Sequence, residues 1–169
     1  KHLSFNGQVN LQAPYGVVGT LLLDPTNITV IAGANNPAEL SANDQFTDPG
    51  TDNTINNGTL NAAAANVVLQ ANNNITFSAP INITTSGVGL TAQAGNNITV
   101  NAGITTNNGA VSLTANDNSN ATASGTGAIT MGASTTINTG TQSINLKAAG
   151  DITLSNLNTS GNIVALSTA

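Results

Sequence analysis

The chain has 169 residues and a formal net charge of −5, and only 5% of its residues are charged. The two basic residues, Lys1 and Lys147, cannot form the positive patch that binding to nucleic acid or to an anionic membrane surface requires. The absence of cysteine excludes disulfides and thiolate metal sites. Plentiful β-branched residues at regular places predict an ordered, β-rich chain rather than a disordered one.

The first predicted strands lie within residues 3–31. The alternation Val-x-Leu-x-Ala at 9–13 reappears at 111–115, and the string Ile-Thr-Val at 28–30 reappears at 98–100. Side chains two residues apart point to the same face of a strand, so these segments predict short strands with one apolar face. We therefore expect the repeated architecture to begin in this first part of the chain.

Residues 33–66 depart from this plan and hold four of the seven acidic residues, Glu39, Asp44, Asp48 and Asp52. Carboxylates and amide oxygens in one loop are the ligands that Ca²⁺ prefers, which makes the three aspartates weak calcium candidates. Their spacing matches neither an EF-hand loop nor a calcium-binding nonapeptide repeat. We therefore favour an acidic loop excursion with a turn at 48–50, and predict no metal site.

From residue 69 onward the chain repeats Leu-x-Ala, a polar bend rich in Asn or Gly, and Ile-Thr-apolar. The leucines recur at steps of 20 to 23 residues, with one longer step of 33. Short strands at this period predict a β-solenoid, in which each repeat forms one coil, and about 22 residues per coil implies about seven to eight coils. The predicted core ladder consists of Leu69, Leu90, Leu113 and Leu146 in one column, continued by Leu166, and Ile75, Ile98, Ile129 and Ile152 in another.

The longer step contains a polar insertion at 116–127, NDNSNATASGTG, which has no aliphatic residue. We expect a solvated loop that leaves one corner of the solenoid without disturbing the ladders. A ligand-binding loop is the alternative. The whole chain, 1–169, is thus predicted to be one solenoid domain with two excursions.

Open strand edges are expected at the two ends of the solenoid, because an uncapped coil exposes unpaired backbone groups. The residues predicted to form these assembly ends are Leu3, Phe5, Val9 and Leu11 on one side and Ile163, Val164 and Leu166 on the other. The expected partner is either the chain itself, by end-to-end stacking of copies, or the neighbouring repeats of a longer chain.

The segment NLQAPYGVVGTLLLDPTNITV, residues 10–30, and the later strings NNITV, GAVSLTA and GDITLS resemble filamentous haemagglutinin-like exoproteins, the haemagglutinin-repeat adhesins. The resemblance extends over most of the chain and is weakest over 33–66. It implies a right-handed parallel β-helix, an extracellular or bacterial cell-surface location, and a role in adhesion, aggregation or surface fibres. It also implies host or cell-surface glycans as candidate partners. The amino-terminal secretion module of that family is absent, so we expect a downstream piece.

No catalytic residue is predicted, because no repeat carries two acids at strand spacing and no nucleophile or phosphate-loop motif occurs. We therefore expect neither an enzyme nor a cofactor, and no membrane insertion, since no apolar run approaches the length of a span. The favoured function is a structural or adhesive segment of a surface fibre. A self-assembling filament subunit is second. Ice or glycan binding through threonines is third, suggested by the doublets at 84–85, 105–106 and 135–136.

Overall fold

The computed structural model describes residues 20–23, 26–40, 52–117, 123 and 125–168. It is an all-β solenoid built from three sheets, which we call A, B and C, and all neighbouring strands in them run parallel. The predicted β-helix is therefore confirmed. Successive strands of one coil pass through the three sheets in turn, and each strand pairs with its counterpart one coil away.

The strands are short, and each sheet draws them from successive coils. Sheet A contains β1 (Thr20–Leu23), β4 (Asn66–Ala71), β7 (Leu90–Ala94), β10 (Val111–Ala115), β13 (Ile144–Ala148) and β16 (Ile163–Ser167). Sheet B contains β2 (Asn27–Ile31), β3 (Asp52–Asn56), β5 (Ile75–Phe77), β8 (Ile98–Val100), β11 (Ile129–Met131) and β14 (Ile152–Thr153). Sheet C contains β6 (Ile81–Ile83), β9 (Ile104–Thr106), β12 (Thr136–Asn138) and β15 (Asn156–Asn158).

The described residues form about five turns, whereas seven to eight coils were expected from the length of the whole chain. That expectation counted every residue of the chain, including 1–19 and 41–51, which lie outside the described part, and the described residues 52–61 form β3 and α1 rather than a further coil. At strand spacing, five turns give a stack about 24 Å tall.

The isoleucines of the repeated Ile-Thr-apolar strings form one continuous column inside the solenoid. Ile98 pairs with Ile75 on one side and Ile129 on the other, and Ile129 pairs in turn with Ile152. Ile28 extends the column by pairing with Ile75. These side chains point inward because alternate residues of each strand face the core, and all except Ile152 in the last full coil are completely buried.

The leucines do not form the single column that the sequence suggested. Leu90 pairs with Val67 on one side and with Val111 on the other. Leu69 and Leu113 do not pair with Leu90, because both pair with Ala92. Leu69, Leu90, Leu113 and Leu146 are nevertheless all buried, because sheet A has several inward columns. Leu166 pairs with Lys147 at an outward position, so it does not continue a core column.

The excursion at 33–66 turns back beneath the stack instead of adding a coil. Its strand β3 pairs with the edge of β2 that faces away from β5. Its helix α1 (Asn57–Asn61) packs against β6, in the place where a further strand of sheet C would otherwise lie. A short 3₁₀ helix, Pro37–Leu40, brings Glu39 to this turn. The Glu39 carboxylate accepts hydrogen bonds from the Asn56 backbone N–H (2.8 Å), the Asn56 side chain (2.6 Å) and the Thr59 hydroxyl (3.0 Å).

Both described ends of the insertion at 116–127 are tied to the coil before it. The backbone N–H of Asp117 donates to the Ala94 carbonyl, and Gln93 donates to the Asp117 carboxylate at 2.5 Å. On the far side, Ala128 donates its backbone N–H to the Asn97 side chain at 2.8 Å. The isoleucine column then resumes in register, so the insertion leaves the stack intact. The residues 118–122 and 124 of the predicted loop lie outside the described part.

Candidate functional site

A ladder of asparagines occupies the corner between sheets A and B. The Asn27 side-chain oxygen accepts the backbone N–H of Asn74 (2.9 Å), and the Asn74 oxygen accepts that of Asn97 (3.1 Å). The Asn97 oxygen then accepts the N–H of Ala128. Each side chain thus satisfies a backbone donor one coil further along, at a bend where no strand partner serves it. The repeated Asn before Ile-Thr is therefore a structural device of the coil.

In each threonine doublet, which suggested a binding face, one of the two hydroxyls bonds to the backbone at a corner. The Thr85 hydroxyl donates to the Ala63 carbonyl at 2.8 Å, and the Thr135 hydroxyl donates to the Gly132 carbonyl at 2.8 Å. Thr106 is buried and donates to the Gly109 carbonyl. Hydroxyls bonded to the backbone at a bend stabilise that bend and are not presented to a ligand.

Sequence reasoning overlooked a different set of threonines. Every strand in sheet B has a threonine at an outward position, and the pairings place the six in one line, which we call the threonine rank: Thr54, Thr29, Thr76, Thr99, Thr130 and Thr153. Stacked strands lie about 4.8 Å apart, which sets the spacing of the rank. The signal was present in the sequence for five of the six, each the middle residue of an Ile-Thr-apolar string, whereas Thr54 lies in Asn-Thr-Ile.

The last coil leaves the apolar interior uncovered on one side. Leu154 and Ile163 are 45% and 49% exposed, although Ile163 pairs with Ile144 and continues an inward column. Val164 and Leu166 are also about half exposed, at outward positions beside Asn145 and Lys147. Among the described residues, no strand pairs with the outer edges of β14, β15 and β16. Of the predicted assembly ends, Ile163, Val164 and Leu166 lie in the last described strand, whereas Leu3, Phe5, Val9 and Leu11 lie outside the described residues.

The expectation of no metal site, with Asp44, Asp48 and Asp52 as weak calcium candidates, stays untested. Asp44 and Asp48 lie outside the described residues, and Asp52 accepts a hydrogen bond from the Asn27 side chain at 2.5 Å. Within the part of the chain that the structure describes, no three His, Cys, Asp or Glu side chains are placed to share a metal ion.

Comparison with protein-family models, with curated protein sequences and with solved structures found no match. None of the helices in the described ranges has the length and apolar character needed to cross a membrane.

Proposed function

We propose that this chain is a structural and adhesive β-helical segment of a secreted or cell-surface fibrous exoprotein. The observation that carries the proposal is the uncovered interior of the last coil, where Leu154 and Ile163 stand half exposed beside unpaired strand edges. Such an edge accepts another coil in the register of the stack, which is how a solenoid lengthens into a fibre. The extracellular setting and the adhesive role rest on the resemblance of LLLDPTNI and its following repeats to the haemagglutinin-repeat adhesins.

The composition of the stack supports this reading. Like charges stacked at strand spacing repel along a whole face, and the outward columns here are mostly Thr, Asn, Ser and Gln. A neighbouring pair of glutamines, Gln70 and Gln93, is joined by a side-chain hydrogen bond of 2.7 Å. A polar but uncharged surface of this kind allows many coils to stack without electrostatic cost, as a fibre requires.

Surface labelling tests the proposal. Antibodies raised against the purified chain are applied to intact cells that produce the protein, before and after protease treatment of the cell surface. We expect labelling of fibres on intact cells and loss of the label after protease. Labelling that appears only after the cells are permeabilised would refute the surface location, and with it the proposed function.

A self-assembling filament subunit is the second candidate, because the same open edge could accept another copy of the chain. Strand pairing between the end of one copy and the start of the next would be a heterologous contact, which gives an open polymer rather than a closed dimer. The contact would be apolar and backbone-mediated, so added salt should barely weaken it. Sedimentation velocity of the purified chain measures this association directly.

Ice binding is the third candidate, and the threonine rank is the observation that favours it. Six threonines on a stiff sheet present methyl and hydroxyl groups at a constant spacing. A single line is a narrow surface, so we rank this function below the other two. Thermal hysteresis of the purified chain, compared with a Thr76→Lys, Thr99→Lys double variant, decides it: no hysteresis in either protein removes this candidate.

A further inference from the structure

A groove of about 400 Å³ lies where the chain returns from sheet C to sheet A. One wall is formed by Val68 and Thr91, which pair on the neighbouring strands β4 and β7. Asn66, Asn108 and Gln142, from three different coils, also line it. The groove therefore runs across the stack, and its shape depends on the coils being in register.

Backbone geometry keeps the groove open. Its floor includes Gly87 and Gly89, and a Cβ at Gly89 would lie 2.6 Å from the Ala110 carbonyl oxygen, too close for any side chain. Gly87 has a φ of +78°, and nothing lies within 4 Å of the position its Cβ would take. Glycine is required at one position by close approach and at the other by its conformation. Glycine at these two positions, both in the connection between β6 and β7, thus keeps side chains out of this part of the groove.

The groove presents neutral hydrogen-bonding groups. The Asn66 side-chain oxygen accepts the Gly89 N–H at 2.9 Å, which leaves its NH₂ group as a donor. The Asn108 oxygen accepts from the backbone N–H and the hydroxyl of Thr141. Within the described chain, the Thr91 hydroxyl and the side-chain amide of Gln142 form no hydrogen bond, and no residue that lines the groove is charged.

We propose that this groove binds a neutral glycan. Sugar hydroxyls both donate and accept, and amides and a hydroxyl without charge offer them donors and acceptors alike. Val68 supplies an apolar contact for the C–H face of a sugar ring, and the volume lies at the small end of ligand pockets, which suits a few sugar units. An acidic glycan finds no basic side chain here and meets a chain with a net charge of −5.

This inference deepens the adhesive part of the proposed function and is independent of its structural part, because coil stacking uses inward residues and strand edges and does not use the groove. Coils can stack although the groove binds no sugar, and the groove can bind sugar although coils of different copies do not stack. Surface labelling and sedimentation test stacking and location, whereas binding of sugars by the folded chain tests the groove.

The experiment is an NMR titration of the isotope-labelled chain with lactose, maltose, cellobiose and N,N′-diacetylchitobiose, and with digalacturonic acid as an acidic probe. We expect at least one neutral sugar to shift the backbone resonances of Gly87 and Gly89 and the side-chain amides of Asn66 and Gln142, all with one dissociation constant. Thr91→Val and Gln142→Ala should each weaken that binding by about 2- to 10-fold, because each removes one hydrogen-bonding group.

Thr99→Val makes the same change as Thr91→Val at an outward position on sheet B, outside the groove, and should leave the binding unchanged. Backbone spectra that match those of the parent chain show that each variant is folded. The proposal is overturned if no neutral sugar shifts the groove resonances, if digalacturonic acid binds more tightly than every neutral sugar, or if Thr91→Val and Thr99→Val have the same effect.

Discussion

At the scale of single residues, the asparagine ladder makes backbone donors at one corner depend on side chains one coil away. Asn74 is central, because its side-chain oxygen accepts the backbone N–H of Asn97 while its own backbone N–H donates to Asn27. Leaving a partly buried donor without an acceptor lowers the free energy of unfolding by more than an average hydrogen bond adds to it. The ladder therefore explains why Asn precedes Ile-Thr in successive coils.

Replacing Asn74 tests the ladder. Asn74→Ala should lower the free energy of unfolding by about 1–2 kcal/mol, because the Asn97 N–H loses its acceptor. Asn74→Asp keeps an oxygen at the same place and should cost clearly less. Urea unfolding at neutral pH measures both. Equal losses from the two substitutions would mean that the side-chain oxygen is not what matters at this position.

The isoleucine column provides a second test. Ile98 is fully buried between Ile75 and Ile129, so Ile98→Asp places an unpaired charge in the core. We expect a loss of about 3–5 kcal/mol, enough to unfold much of the population of a marginally stable domain. Asn82→Asp adds the same charge at an exposed outward position of sheet C and should change stability by about 0.5 kcal/mol or less. Similar urea midpoints for the two variants would contradict the inward assignment of Ile98.

At the scale of elements, the isoleucine register could be predicted because each Ile-Thr pair lies in a short strand of sheet B that has only one or two inward positions. The leucine register could not. Strands of sheet A have several inward positions, and a shift of two residues keeps every side chain on its own face. Leu90 therefore fits opposite Val67 as well as opposite Leu69, and residue type alone does not choose between them.

The sequence analysis predicted neither the threonine rank nor the pairing of β3 with β2, and the reasons differ. Threonine serves both as an outward strand residue and as a corner hydrogen-bond donor, and the doublets drew attention to the second use. Strand β3 has the sequence DNTIN, with a single aliphatic residue, Ile55, and that residue is buried. Its pairing beneath β2 is a long-range arrangement that no local pattern in the sequence indicates.

The insertion is predicted to be dispensable for folding. In the preceding coil, residues 95–97 are enough to connect the corresponding strands β7 and β8. Deleting 118–122 keeps Asp117 and Ala128, which anchor the two sides, and still leaves a longer connection than that. Loop length affects stability only weakly, by about 0.6 kcal/mol per doubling. Circular dichroism and urea unfolding should match the parent chain, and loss of the β signal would show that these residues support the stack.

At the scale of the whole molecule, the described solenoid has a buried apolar core and, at its last strands, an end where apolar side chains are exposed. The inward columns are covered coil by coil until β14, β15 and β16, where apolar side chains and strand edges are left open. Burial of such a surface is favourable by about 25 cal/mol for each Å² of apolar area. A further coil that pairs with these strand edges would bury the exposed apolar side chains, whether that coil belongs to the same protein or to another copy.

The central claim is that this open end accepts another coil, and sedimentation velocity of the purified chain tests it most directly. Ile163→Lys and Val164→Lys form a matched pair, because both residues are about half exposed on β16, but only Ile163 lies at an inward position. We predict that the parent chain and Val164→Lys associate into an open series of sizes with little dependence on salt, and that Ile163→Lys stays monomeric. A parent chain that is monodisperse at every concentration and salt level, indistinguishable from Ile163→Lys, would contradict the claim.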